Sequence, residues 1–139
     1  MIFDINTAIG HWPFRQVPHT TLPELRALLS AKGIVGAAVA HTHALFYKDC
    51  HRANLELAAA LQTAPDFFTG VATINPRYAA WERDLATCVN DLGMRAVRAA
   101  PLYHDYTLDS PAAHALLTAA TNLGVTVFLP ARIVDPRQR

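Results

Sequence analysis

The stretch Leu92-Gly93-Met94-Arg95-Ala96-Val97-Arg98-Ala99-Ala100-Pro101 contains a helix end, a turn and a strand in immediate succession. Before it, Trp81, Leu85, Val89 and Leu92 recur at helical spacing, and Gly93 stops the pattern as a C-terminal glycine does. After it, Ala96–Ala100 is a short apolar run of the kind that is buried on both faces of a parallel sheet. One charge interrupts the run. A guanidinium on a buried strand needs an anionic partner, so Arg98 implies either a substrate carboxylate or an internal one such as Asp4.

The same alternation extends in both directions. Ile2–Ile5, Ile34–Ala40, Phe68–Ile74 and Val125–Leu129 are further apolar runs bounded by turn residues. Thr21-Leu22-Pro23-Glu24 is a capping box ahead of Leu25, Leu28 and Leu29, with Gly33 placed to end that helix. A second helix runs from Asp49 through Leu55, Ala58 and Leu61, and Ser110-Pro111 opens another that holds Leu116, Leu117 and Leu123 before Gly124. The order is therefore βαβαβαβαβ, recurring about every 30 residues as successive right-handed crossovers do. Two architectures fit. A five-stranded doubly wound sheet is complete at this length, whereas a (β/α)8 barrel needs roughly 250 residues.

The chain has 139 residues, 52% hydrophobic and 17% charged, as expected of one globular domain over residues 1–139. Its 12 Lys+Arg and 11 Asp+Glu give a net charge of +1 with no basic stripe or acidic tail, which argues against nucleic acid or a membrane surface as partner. Neither a transmembrane run nor a signal-type leader is visible, and the two cysteines, Cys50 and Cys88, form no disulfide framework. A cytoplasmic protein acting on a small molecule is the resulting expectation.

Ligands of either architecture meet the C-terminal ends of the strands, and those ends are polar here. The first is followed by Asn6, His11, Trp12, Phe14 and Arg15, the second by His41-Thr42-His43, and the fourth by Tyr103-His104-Asp105-Tyr106. Phosphate cradles and a G-x-S-x-G nucleophile elbow are absent, which removes nucleotide binding and serine hydrolysis. His104 beside Asp105 suits general acid/base work, the carboxylate orienting the imidazole. His41 and His43 have a metal-like spacing, but two imidazoles leave a zinc site incomplete, and the sequence puts no carboxylate at a neighbouring strand end. A divalent metal is therefore disfavoured and no cofactor is expected.

Three stretches now converge on one family. Asp4-Ile5-Asn6-Thr7-Ala8-Ile9-Gly10 is similar to the opening D-x-H-x-H-x-G of the amidohydrolase-related, metal-dependent hydrolases of the TIM-barrel type. Ala72-Thr73-Ile74-Asn75-Pro76 resembles the family's third-strand A-x-I-x-P, and Leu92–Arg98 with Pro101 resembles its L-G-x-R-G-V-R-x-x-P. The resemblance implies a partial barrel, strands one to five with intervening helices, rather than the doubly wound sheet.

It also implies a departure, because the family's two metal-binding histidines fall on Asn6 and Ala8 and its fifth-strand histidine falls near Pro130 or Ala131. None of these is a good ligand for a borderline metal. The family includes metal-independent lactonases and decarboxylases. The resemblance therefore implies a hydrolase, or part of one, for a small carboxylated, lactone or amide substrate. In it Arg98, His104, His41 and His43 would be catalytic, and Asn6, His11, Trp12, Arg15 and Tyr103 would bind substrate. The alternative is a non-catalytic binding module, a barrel remnant or one half of a split barrel. The later barrel strands would lie beyond Asp135-Pro136-Arg137-Gln138-Arg139, and the cut edges, with Val127 and Leu129 facing the barrel interior, favour self-association.

Overall fold

The computed structural model describes residues 1–130, so Ala131 and the closing Asp135–Arg139 stretch lie outside the described residues. The elements are β1 (Ile2–Ile9), α1 (Leu22–Ala31), β2 (Ile34–His41), a 3-10 turn (Thr42–Leu45), α2 (Cys50–Leu61) and β3 (Phe68–Ile74). They continue with α3 (Trp81–Asn90), β4 (Ala96–Ala99), α4 (Pro101–His104), α5 (Pro111–Asn122) and β5 (Thr126–Phe128). All strand pairs are parallel and the sheet order is β1-β2-β3-β4-β5. Each strand lies beside its predecessor. A doubly wound sheet reverses its strand order at a switch point, so this sequential order excludes it and leaves the first five strands of a barrel.

The two faces of the sheet differ as a barrel requires. Side chains from α1, α2, α3 and α5 (among them Leu25, Leu57, Leu85 and Leu116) form one buried cluster with Val39, Ala72 and Val97 of the strands. The opposite, concave face is small-residue: Ala38, Ala40, Val71 and Ala96, with Phe128 packed against them. Val127 instead packs on the helix-side core, so the residue of β5 that fills the barrel interior is Phe128 rather than the expected Val127.

Helix ends follow the sequence signals. The Thr21 N–H and hydroxyl donate to the Glu24 carboxylate at 3.1 and 2.9 Å, and the Ala113 N–H donates to Ser110 Oγ at 3.3 Å. Gly93 takes φ +69°, the left-handed turn that lets α3 hand over to β4.

Two elements depart from the sequence reading. β1 runs on to Ile9, because Thr7 and Ala8 still pair with Val39 and Ala40 although their small or polar side chains carry no apolar pattern. Its register slips between Asp4 and Thr7, where the Asn6 N–H turns to Asp4 Oδ1 at 3.0 Å. The segment after β4 is not a plain loop: Pro101 starts the short helix α4 that carries Tyr103 and His104.

Candidate functional site

At their C-terminal ends β2 and β3 separate. Their ladder covers only Ala37–Val39 against Phe68–Gly70, and beyond it the backbone of Thr73 bonds to a side chain. Asn54 of α2, fully buried, donates from Nδ2 to the Thr73 carbonyl and accepts the Thr73 N–H at Oδ1, both at 2.9 Å. The His41 carbonyl across the gap accepts from Arg98 Nη2 at 3.0 Å, while Arg98 Nε donates to Thr73 Oγ1 at 3.1 Å. The opened ladder is thus a socket for one guanidinium.

Arg98 has no carboxylate partner among the described residues. Asp4, the internal candidate, spends its Oδ1 on the Asn6 N–H of its own strand. Burial lowers the Arg98 pKa to about 10, which still leaves it a cation at neutral pH. Two clefts meet at this residue. One, about 710 Å³ on the concave face, is lined by Asn6, Arg98, Tyr103 and Phe128 among others. The other, about 460 Å³, has Trp12, Arg15, Thr42, Leu45 and Arg98 in its walls.

An aromatic chain closes over the strand ends. Phe46 meets Trp12, Phe14 and Tyr103 edge-on, at ring-centroid distances of 5.2, 5.7 and 5.5 Å. It ties together the segments that follow β1, β2 and β4. Trp12 and Phe14 thus form the wall the sequence suggested, whereas Phe46 lay in a segment with no periodicity to mark it.

The histidines divide into separate environments. His41 continues the side of β2 that faces the helices, and its ring lies against Gly10, where an added Cβ would come within 2.7 Å of Cε1. Glu56 Oε2, from α2, is 3.5 Å from both His41 Nε2 and His43 Nδ1. The sequence offered no carboxylate at a neighbouring strand end, and this one comes from elsewhere. Glu56 sits on a helix rather than at a strand end, and only the packing of α2 on β2 brings it there. Burial, then the neighbouring His43 ring, hold the His41 pKa below its ordinary value.

His104 lines neither cleft. It is buried beneath the 3-10 turn, with Nε2 3.0 Å from the Ala44 carbonyl and 3.5 Å from Cys50 Sγ. Bonding to a carbonyl makes Nε2 the protonated nitrogen, and Cys50 also donates to Ala44 O at 3.3 Å, so the two do not form a nucleophile–base pair. Burial pushes the Cys50 thiol up to about 12, in keeping with an inert packing role. Asp105 does not orient His104 as expected. Its backbone is left-handed, at φ +54°, and its carboxylate pairs with Arg77 at 2.6 Å. His11 is exposed and borders neither cleft.

No family model and no curated protein sequence matches the chain. Solved structures do. A 2,6-dihydroxybenzoate decarboxylase from Rhizobium superposes with a TM-score of 0.74 at 20% identity, over 97% of this chain and 51% of that one. A candidate amidohydrolase from Staphylococcus aureus gives 0.73 at 20% identity, over 98% and 50%. A 5-carboxyvanillate decarboxylase from Novosphingobium aromaticivorans, complexed with manganese and 4-hydroxy-3-methoxy-5-nitrobenzoic acid, gives 0.76 at 19%, over 98% and 53%.

The fold is half of a parallel β/α barrel. The chain spans about half the length of these structures. The two β1 positions at which the sequence resemblance implies metal-binding imidazoles carry an amide, Asn6, and a methyl, Ala8. Those two positions do not fit a divalent ion.

Proposed function

We propose that the strand ends of this half-barrel bind a small carboxylated organic molecule through Arg98. The observation that carries this reading is a half-buried guanidinium, fixed by Thr73 and His41, that faces two clefts and has no anionic partner among the described residues. Two of its nitrogens are held by those neutral acceptors. Its Nη1 makes no hydrogen bond to any described residue and is the group offered to a carboxylate. Arg15 places a second cation on the smaller cleft, and Trp12 and Tyr103 supply apolar walls for an unsaturated or ring substrate.

Hydrolysis or decarboxylation of such a substrate agrees with the activities of the structural neighbours, which include decarboxylases of hydroxybenzoate-type acids and a probable 2-pyrone-4,6-dicarboxylic acid hydrolase. No step is assigned to a metal at the β1 positions. Binding without turnover is the second reading. It is favoured by the placement of His104, the expected proton carrier, whose Nε2 is committed to a backbone carbonyl outside both clefts.

Calorimetric titration of the chain with 2,6-dihydroxybenzoate, benzoate and benzamide tests the carboxylate reading. Both acids are expected to bind, the uncharged amide not, and Arg98→Lys is expected to weaken the acids by about tenfold or more through loss of the planar fork. Equal binding of benzamide and benzoate, or an Arg98→Lys protein that binds as wild type does, would overturn it. Release of carbon dioxide from the bound acid would separate the enzyme from the binding module.

A further inference from the structure

We infer that His41, His43 and Glu56 form a divalent metal site of the zinc class, on the helix side of β2 and separate from the Arg98 clefts. One ligand atom from each of the three lies within 4.8 Å of the other two. The Glu56 oxygen stands 3.5 Å from a nitrogen of each ring. Two ligands about 2.0–2.2 Å from one tetrahedral ion are about 3.3–3.6 Å apart, so the two carboxylate–ring separations already match, and the ring–ring separation, within 4.8 Å, is the one that closes on binding. Two imidazoles and a carboxylate are a donor set that suits zinc or cobalt better than the hard cations, and the fourth position is left to solvent.

One feature of the fold is built around the His41 ring. Gly10 is the residue that makes room for it, because any Cβ there would collide with it. In the metal-free chain the His43 N–H donates to His41 Nδ1 at 3.2 Å, with Nε2 turned towards Glu56. Access is graded from inside to outside: the His41 side chain is 8% exposed, His43 27% and Glu56 42%.

That hydrogen bond also predicts what binding must change. With Nδ1 accepting, the proton of the neutral His41 ring is on Nε2. Ligation by Nε2 moves the proton to Nδ1, with no net release, and the His43 N–H gives up its acceptor. Losing one such bond lowers affinity by roughly tenfold, far less than a completed three-ligand site gains. The Tyr47 hydroxyl, 3.3 Å from His43 Nδ1, yields that nitrogen in the same step.

The test is titration of the chelator-dialysed full chain with zinc chloride, followed by calorimetry and by nitrogen-15 spectra of the histidine rings. The expected result is one zinc per chain, with His41 changing from the Nε2-protonated to the Nδ1-protonated ring. Glu56→Gln and His43→Ala are each expected to weaken binding by at least about tenfold, while His114→Ala, on the far helix α5, leaves it unchanged. Glu56 is partly exposed, so Glu56→Gln keeps the test valid if His43→Ala does not fold. Absence of saturable zinc binding, zinc binding that survives Glu56→Gln undiminished, or saturation without the ring-proton exchange would each overturn the assignment.

Discussion

A single imidazole shows how burial reassigns a residue that sequence marks as reactive. Tyr103-His104-Asp105 reads as an orienting carboxylate beside a base, yet α4 turns His104 inward and Asp105 outward to Arg77. Burial is the leading cause that lowers the His104 pKa, and the nearby Arg98 charge acts in the same direction. In the unfolded chain the ring takes up a proton near pH 6.5. With a lowered folded pKa, the unfolded state binds more protons below that pH. His104 therefore contributes its full stability above about pH 6.5 and loses it as pH falls through that value. Thermal unfolding between about pH 8 and pH 5.5 is expected to show a falling Tm in the wild type and a shallower fall in His104→Asn. Equal slopes in the two proteins would mean that other groups govern the acid limb.

At the scale of elements, the separation of β2 from β3 is the feature that makes a site, and one amide maintains it. Asn54 satisfies both backbone groups of Thr73 from the neighbouring helix, so the strand ends stay apart without a buried unpaired N–H or C=O. Asn54→Ala leaves both unpaired in a fully buried place. It is expected to cost about 2 kcal/mol in chemical denaturation, and to weaken carboxylate binding because Thr73 Oγ1 also seats Arg98. An Asn54→Ala protein with wild-type stability would show that β2 and β3 close the gap by themselves.

The same scale decides what sequence could disclose. The α1 capping box, the glycine after α3 and the buried run at β4 are local signals and were legible in Thr21–Glu24 and Leu92–Arg98. So was the charge of Arg98 within an apolar run. Asn54, Glu56 and Phe46 were not, because each acts on residues distant in the chain: Asn54 on Thr73, 19 residues on, Glu56 on His41 and His43 by the packing of α2 on β2, and Phe46 on Trp12 and Tyr103. A polar residue on a helix looks the same in sequence whether it meets solvent or a strand end. β1 was read too short for a related reason: backbone pairing of Thr7-Ala8-Ile9 needs no apolar alternation.

For the whole molecule, the consequence of a sequential five-stranded order is two unpaired parallel edges among the described residues, β1 and β5. Edge strands are usually guarded by lysine, proline, a bulge or a covering loop. β1 has one charge, Asp4, and a register slip, but it exposes Ile2, Phe3 and Ile5 at 57%, 50% and 64%. β5 has no charge, and Leu129 just beyond it is 50% exposed beside the concave cleft. No described helix is long and apolar enough to cross a membrane. Burial of such an edge in a second copy removes apolar area from water and supplies backbone partners together, both of which favour association. Sedimentation velocity of the purified 139-residue chain over a range of concentrations is therefore expected to show a dimer or larger species. Ile5→Lys, which places a charge on the most exposed branched residue of β1, is expected to shift the distribution towards monomer without changing the far-ultraviolet circular dichroism. A wild-type chain that stays monomeric at every concentration would mean that its edges are protected within the chain, and the association prediction would then fail.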